Sequence, residues 1–230
     1  MKQAGGLRHP YVSVESSYGG SQSWLANRVM SQSGCGVVAA GDVLLYLGMH
    51  RRGCRTEGIH GLFYSDGRIS RARYEQYLKE LGRRYFPVLP YLGMPFWVLT
   101  MGLNRYFRRN GIRLGARWGV LPWNLEKRME EMFRQDLPVI LSIGPNFPPF
   151  FRKQKLRLYE KEENGSYRHV TQTRAHYVVA TGFEKGKLRI SSWGKCYYID
   201  WEEYKEYLWK KSNPWMTNIC VLQERHKPEG

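Results

Sequence analysis

A single stretch decides the fold: residues 33–47 read SGCGVVAAGDVLLYL. Cys35 stands between two glycines, and small and apolar residues follow it with helical spacing. The run predicts a buried helix over 34–47, with Gly48 as its C-terminal cap. The Cys35 thiol then lies in the first helical turn, where unpaired backbone N–H groups and the positive end of the helix dipole favour a thiolate. A nucleophile of this kind needs a base.

Helical patterns dominate the first half of the chain, and strand patterns dominate the second half. Further helices are predicted at 70–82, 97–110, 125–133 and 200–209. Strands are predicted at 113–118, 138–143, 155–162, 166–171, 176–183, 188–192, 196–199 and 217–223, with Asn164-Gly165 as a hairpin turn and a loop at 144–155. This segregation predicts an α+β fold with one groove between the halves. We expect a single domain over 1–230, with an extended arm at 1–20 and a tail at 224–230.

The chain has six histidines, and His176 is the best placed of them to act as a base. It starts the apolar run YVVATGF at 177–183, which predicts a core strand with an imidazole at its mouth. Thiol chemistry pairs a cysteine with such a histidine and with a group that orients it.

Three motifs occur in a fixed order: SGCG at 33–36, HYVVATGF at 176–183 and ISSWG at 190–194. With LPVI at 137–140 and YYIDWEEY at 197–204, they resemble the papain-like cysteine peptidases, and within them the bacterial peptidases that process bacteriocin leaders at a double glycine. The resemblance extends over about residues 20 to 223.

This resemblance implies a papain-like fold with Cys35 as nucleophile and His176 as general base. It also implies an amide side chain that stabilises the oxyanion together with the backbone N–H of Cys35. Gln22 is preferred, although it lies thirteen residues before Cys35, where the family's glutamine lies about six before. Asn27 and Gln32 remain alternatives.

The family's orienting Asn or Asp is replaced here, since its aligned place falls on Ser191, with Ser192 next to it. Trp193 is expected to shield the histidine from water, and Trp193, Ser192 and Gly34 are expected to contact substrate. Asp200 and Asp42 are the carboxylates that a displaced orienter would use. We expect Asp42 to point away from the groove.

The predicted activity is cysteine-peptidase hydrolysis, or a related thiol acyl transfer, on a peptide or protein substrate. The alternative is a catalytically impaired papain-like domain that binds or regulates. Trp24, Trp118 and Trp123 could line the groove, but core packing is the preferred interpretation for them. Cys54, in an arginine-rich loop, is expected to be exposed.

Composition limits the possible partners. A formal net charge of +16 favours anionic partners, but Glu and Asp are mixed along the chain, so an ordinary basic surface is preferred over nucleic-acid binding. The four cysteines form neither a CxxC pair nor a cluster with zinc spacing, so no metal or cofactor is expected.

Targeting signals are not recognised in the sequence. The first ten residues hold no apolar core of a signal peptide, and the apolar stretch 86–103 is broken by three prolines. We therefore expect no transmembrane segment and a cytoplasmic location with reduced thiols. For 86–103 a buried or interfacial loop and helix is preferred over a peripheral membrane contact. The oligomeric state is left open.

Overall fold

The computed structural model describes residues 5–90, 93–144 and 155–225. Its helices are α1 Arg28–Ser33, α2 Cys35–His50, α3 Glu57–His60, α4 Arg71–Arg84, α5 Phe96–Arg109, α6 Leu125–Arg134 and α7 Trp201–Lys210. Its strands are β1 Ser13–Val14, β2 Ser17–Tyr18, β3 Leu114–Trp118, β4 Val139–Ile143, β5 Leu156–Lys161, β6 Tyr167–Thr173, β7 His176–Glu184, β8 Lys187–Ser192, β9 Lys195–Asp200 and β10 Ile219–Glu224. The predicted α+β class is confirmed.

One antiparallel sheet forms the second half of the described chain. Its strand order is β3-β10-β4-β7-β8-β9-β5-β6, and each neighbouring pair is antiparallel. All five residues of β4 are buried, because this strand lies inside the sheet with both faces covered. Strand β7 pairs with β4 from its first residue, where His176 lies opposite Ile143, and its pairing with β8 begins at Val179.

Helix α2 is buried along nearly its whole length, from Cys35 to Gly48. A helix that is apolar on all sides can only be stable when other elements surround it. The structure extends α2 to His50, so Gly48 lies inside the helix and the predicted cap is wrong. A Cβ atom at Gly48 would lie 2.8 Å from the Ile59 side chain, so glycine lets α3 approach.

The first described residues, from Gly5 onward, form an arm that is bonded to the sheet. The Leu7 N–H donates to the Thr181 carbonyl at 2.9 Å, and the Phe183 N–H donates to the Gly5 carbonyl at 2.6 Å. These bonds occur where the pairing of β7 with β8 shifts between Ala180 and Gly182, so the arm meets the sheet at a bulge.

The edge strand β3 is closed by a side chain. The Asn104 amide donates to the Ala116 carbonyl at 2.6 Å and accepts from the Ala116 N–H at 3.0 Å. Asn104 therefore pairs with β3 as a further strand would, and it satisfies backbone groups that an open edge would leave free.

Several local expectations were wrong. Cys54 is 5% exposed, and Trp123 is 69% exposed and outside the core. Trp24 and Trp118 pack against the core as expected. Most of the predicted loop 144–155 and most of the tail lie outside the described residues. None of the helices in the described ranges has the length and apolar character needed to cross a membrane.

Candidate functional site

Gly34 joins two helices directly before the cysteine. Its N–H donates to the Met30 carbonyl at 2.8 Å, which ends α1, and its carbonyl accepts from Val37 N–H and Val38 N–H at 3.0 Å, which starts α2. A Cβ atom at Gly34 would lie 2.3 Å from the Met30 carbonyl oxygen, so the joint requires glycine. Gly34 is buried in this joint and is not among the residues that line the cavity described next.

A small cavity brings most of the predicted site residues together. The free space is about 10 Å³, close to the minimum that one water molecule needs. The lining includes the predicted residues Gln22, Cys35, His176, Ser191, Ser192 and Trp193. Helix α2 and strands β7 and β8, distant in sequence, therefore present their polar side chains to one point.

Cys35 occupies the first turn of α2, as predicted, but its environment differs from the expectation. The residue is 9% exposed, and burial raises the pKa of its thiol. Hydrogen bonds from the backbone N–H groups of Tyr177, Gly36 and Cys35 itself lower the pKa and offset only part of this effect. The bond from Tyr177 places the sulfur beside the start of β7. At neutral pH the resting group is a thiol.

His176 is held by two neighbours. Its Nε2 lies 2.8 Å from Ser192 Oγ, and its ring stacks on Trp193 with centroids 4.6 Å apart and planes at 17°. Burial lowers the pKa of His176 to about 4, so the imidazole is neutral at neutral pH. Trp193 thus covers the histidine, as the resemblance implied.

The hydrogen bond to the imidazole that was expected of Ser191 is made by Ser192. Ser191 Oγ instead donates to the Tyr18 carbonyl at 2.9 Å. Adjacent residues of a strand point to opposite faces, so a shift of one position decides which serine meets the imidazole. A serine hydroxyl fixes the ring without contributing a charge, which is why nothing offsets the effect of burial on His176.

Gln22 reaches the cavity because the chain folds back between it and Cys35. It begins a single turn of 3₁₀-helix, Gln22–Trp24, and its Nε2 donates to the carbonyls of Ser31 and Gln32 at 3.0 and 3.2 Å. Helix α1 fills the intervening sequence, so a separation of thirteen residues is compatible with proximity. Both amide hydrogens are engaged, and Oε1 is buried without a hydrogen-bond partner among the described residues.

The two alternative amide donors lie elsewhere. Asn27 is exposed and caps α1 by accepting from the Met30 N–H at 3.1 Å. The Gln32 side chain is exposed, and its carbonyl accepts from Gln22. Of the three candidates, Gln22 is the one that lines the cavity.

Asp42 also lines this cavity, so the expectation that it points away was wrong. The missed signal is its spacing from the cysteine. Cys35, Val38, Ala39 and Asp42 follow the i, i+3, i+4, i+7 pattern of one helix face.

The Asp42 carboxylate is fully engaged. It accepts from Tyr74 Oη at 2.6 Å, from the Gly20 N–H at 3.0 Å and from Tyr11 Oη at 3.3 Å. Burial raises its pKa to about 6, although these bonds act in the opposite direction. A carboxyl group that titrates near neutrality therefore lies at the same cavity as Cys35 and His176. Asp200, the other carboxylate considered, caps α7 and pairs with Lys187 at 2.8 Å.

The remaining cysteines lie outside the cavity. All four cysteines are in the described ranges and are free thiols. Burial raises the pKa of Cys54 and Cys196, and raises that of Cys220 to about 12. Within the described residues, no group of three or more His, Cys, Asp and Glu side chains is placed to hold a metal ion.

Comparisons with known proteins do not identify a class. No family model matches the chain, and searches of curated proteins and of solved structures return no match. The function is therefore inferred from the residues and geometry of the site.

Proposed function

We propose that this chain is a papain-like cysteine peptidase, or a related thiol acyl-transfer enzyme, that acts on peptide or amide bonds through Cys35 and His176. The supporting observation is the placement of the Cys35 sulfur. It lies in the first turn of the buried helix α2 and accepts the N–H of Tyr177, the residue after the histidine. Cys35 and His176 also lie within the motifs that carry the family resemblance.

The proposed reaction uses the neutral pair found at rest. With its Nε2 proton donated to Ser192 Oγ, His176 keeps the Nδ1 lone pair to take the Cys35 proton. The sulfur attacks the carbonyl carbon of the substrate. The resulting oxyanion accepts a hydrogen bond from the backbone N–H of Cys35. It accepts a second one from the Gln22 amide, after that amide has broken its bond to one of the two carbonyls that it contacts at rest. The imidazolium then protonates the leaving amine, and water or a second amine resolves the thioester.

The proposed substrate is a peptide or a protein, since the chemistry addresses an acyl carbon with an amine leaving group. Free thiols at all four cysteines fit a reducing compartment, and we propose the cytoplasm.

A second candidate is a non-catalytic domain that keeps the fold and binds a partner. The enclosure of the site favours it: Cys35 is 9% exposed and the cavity is about 10 Å³. Burial shifts the pKa values of Cys35 and His176 in the directions that disfavour a thiolate–imidazolium pair. Such a pair is the form that reacts in cysteine peptidases.

Site-resolved alkylation separates the two candidates. The full chain is treated with iodoacetamide between pH 6 and pH 9, and the labelling rate of each cysteine is measured by mass spectrometry. An enzyme requires Cys35 to react faster than Cys54 and Cys196 despite its burial. It also requires His176→Gln to slow Cys35 and leave the other two unchanged. Cys54 and Cys196 are the internal controls, because burial raises the pKa of both thiols as well.

The contrary result is equally clear. If Cys35 reacts no faster than Cys54, and His176→Gln changes neither rate, the chain has no activated thiol and the binding domain is the better assignment. A trapped thioester on Cys35 after incubation with peptides would decide for the enzyme.

A further inference from the structure

Nearly half of the net positive charge, +7 of +16, is concentrated in one part of the chain. Between Glu80 and Glu126 the sequence contains neither Asp nor Glu. The same 45 residues, 81–125, contain seven arginines: Arg83, Arg84, Arg105, Arg108, Arg109, Arg113 and Arg117. This segment forms the end of α4, helix α5 and the edge strand β3, far in sequence from both Cys35 and His176.

A large cleft lies on this segment and has a basic rim. Its volume is about 680 Å³, in the range of sites that hold small molecules or lipid groups. Aliphatic residues that include Pro87, Val98 and Met101 form part of its lining. Four arginines also line it: Arg105, Arg108, Arg117 and Arg225. None of the described residues around the cleft is acidic.

Two of these arginines are available to an external anion. Arg105 and Arg108 are exposed on α5, and none of the described acidic residues forms an ion pair with either. Arg225, in contrast, donates to the Asn104 side chain at 2.6 Å. A guanidinium binds phosphate oxygens in a bidentate manner, which makes free arginines suitable for phosphate groups.

Apolar side chains continue the same helix face into solvent. Trp97, Met101, Arg105 and Arg108 follow one another at helical spacing, and we call them the α5 stripe. Trp97 is 51% exposed and Met101 is 68% exposed.

A second exposed tryptophan lies near the start of the stripe. Phe96, which contacts Trp97, stacks on Trp118 with ring centroids 5.3 Å apart, and Trp118 Nε1 donates to the Trp215 carbonyl. Trp215 is 70% exposed. Exposed tryptophans beside arginines match the interfacial layer of a bilayer, where rings lie at headgroup level and cations meet phosphates.

Other anionic partners fit less well. A peptide cannot extend the sheet beside Ala116, because Asn104 already occupies both backbone groups there. Unpaired bases stack on aromatic rings, and the described lining of the cleft holds one aromatic residue, Tyr85, beside aliphatic residues such as Val98 and Pro87.

We propose that the α5 stripe and its cleft dock this protein on the surface of an anionic phospholipid bilayer. Trp97 and Met101 enter the interfacial layer, and Arg105 and Arg108 contact lipid phosphates. The docking is peripheral and independent of the thiol chemistry proposed for Cys35.

Vesicle sedimentation tests this docking with the full chain. Sucrose-loaded vesicles are made of phosphatidylcholine alone or with one third phosphatidylglycerol, and bound protein is measured at low and at physiological salt. We expect binding to the anionic vesicles and little to the neutral ones. Loss of two surface arginines in R105Q/R108Q should weaken it roughly 25-fold, from roughly fivefold for each arginine.

Matched variants separate a specific surface from general basicity. R28Q/R52Q removes two exposed arginines outside the stripe and should weaken binding by less than about twofold at physiological salt. W97S/M101S keeps all charges and should still reduce binding, because apolar insertion is lost. Circular dichroism and urea midpoints check that each variant folds.

Three results would overturn the proposal. One is an equal loss in R28Q/R52Q and R105Q/R108Q, which would indicate nonspecific attraction. Another is unchanged binding in W97S/M101S, which would leave the apolar half of the stripe without a role. The third is a single-stranded oligonucleotide that binds through Arg105 and Arg108 and displaces the vesicles, which would make the surface a nucleic-acid site.

Discussion

Replacing Asp42 with asparagine should change how the stability of the protein depends on pH. Asp42 is buried, and burial raises its pKa from 3.8 to about 6. Its carboxyl group therefore binds a proton more tightly in the folded chain than in the unfolded chain. The stability that this proton contributes is full below pH 4 and is lost as the pH rises to about 6. As the pH rises from 4 to about 6, the free energy of unfolding of the wild type should fall by about 3 kcal/mol relative to that of Asp42→Asn.

Urea unfolding of both proteins between pH 4 and pH 8 measures this difference. Asp136→Asn is a matched control with the opposite sign. Burial alone would raise the pKa of Asp136, but hydrogen bonds from Tyr46, His9 and the Arg8 N–H lower it overall. The wild type should therefore gain stability relative to Asp136→Asn only as the pH rises toward about 4, and between pH 4 and pH 8 the difference between these two proteins should stay nearly constant. A wild-type minus Asp42→Asn difference that stays constant within about 0.5 kcal/mol across this range, well under the shift expected from linkage, would refute the reasoning.

Three further substitutions probe the site and the sheet edge. Ser192→Ala should slow Cys35 alkylation roughly fivefold compared with the wild type at the same pH, because one hydrogen bond of about 1 kcal/mol is lost. An unchanged rate would show that Ser192 does not support the reaction of Cys35. Gly34→Ala should destabilise the chain by about 1–3 kcal/mol in urea, because its Cβ meets the Met30 carbonyl, whereas Gly53→Ala, with open space around it, should be near neutral. Asn104→Ala should leave the Ala116 backbone groups at the β3 edge unpaired and lower the free energy of unfolding by about 1–3 kcal/mol. Light scattering should rise, because an open strand edge can pair with a second chain. A monomer of unchanged stability would contradict the pairing of Asn104 with β3.

The order of the elements could be predicted because the periodicity of each is strong. Helix α4 shows apolar residues at i+3 and i+4 and begins after the cap Ser70, which accepts from the Arg73 N–H. Helix α1 carries a weaker signal for the opposite reason. Its six residues include none that is buried, so no apolar face marks it in the sequence.

Some details of the site depend on strand register and on burial, which the sequence pattern alone does not determine. The choice between Ser191 and Ser192 is set by strand register, which β7 and β9 determine together. The neutral state of Cys35 and His176 follows from how completely the surrounding chain encloses them, and the motif alone favoured a thiolate. The position of Asp42 was accessible, since its spacing of seven from Cys35 places it on the same helix face.

The site can open for a substrate more easily on one side than on the other. Cys35 and His176 lie on α2 and β7, which belong to the core and carry buried neighbours throughout. Gln22 lies on a turn that is bonded to the end of α1, an element with no buried residue. Elements with little buried surface unfold or shift locally at low cost in free energy.

Movement of that turn would serve two needs at once. It would free the Gln22 amide from the Ser31 and Gln32 carbonyls, and it would open the cavity that Gln22 and Cys35 both line. Solvent entering beside His176 would also raise the pKa of its imidazole, because burial is the cause of the lowered value. On opening, the imidazole would therefore become more basic and the Cys35 thiol more acidic, so the enclosure of the cavity would control the chemistry proposed for Cys35.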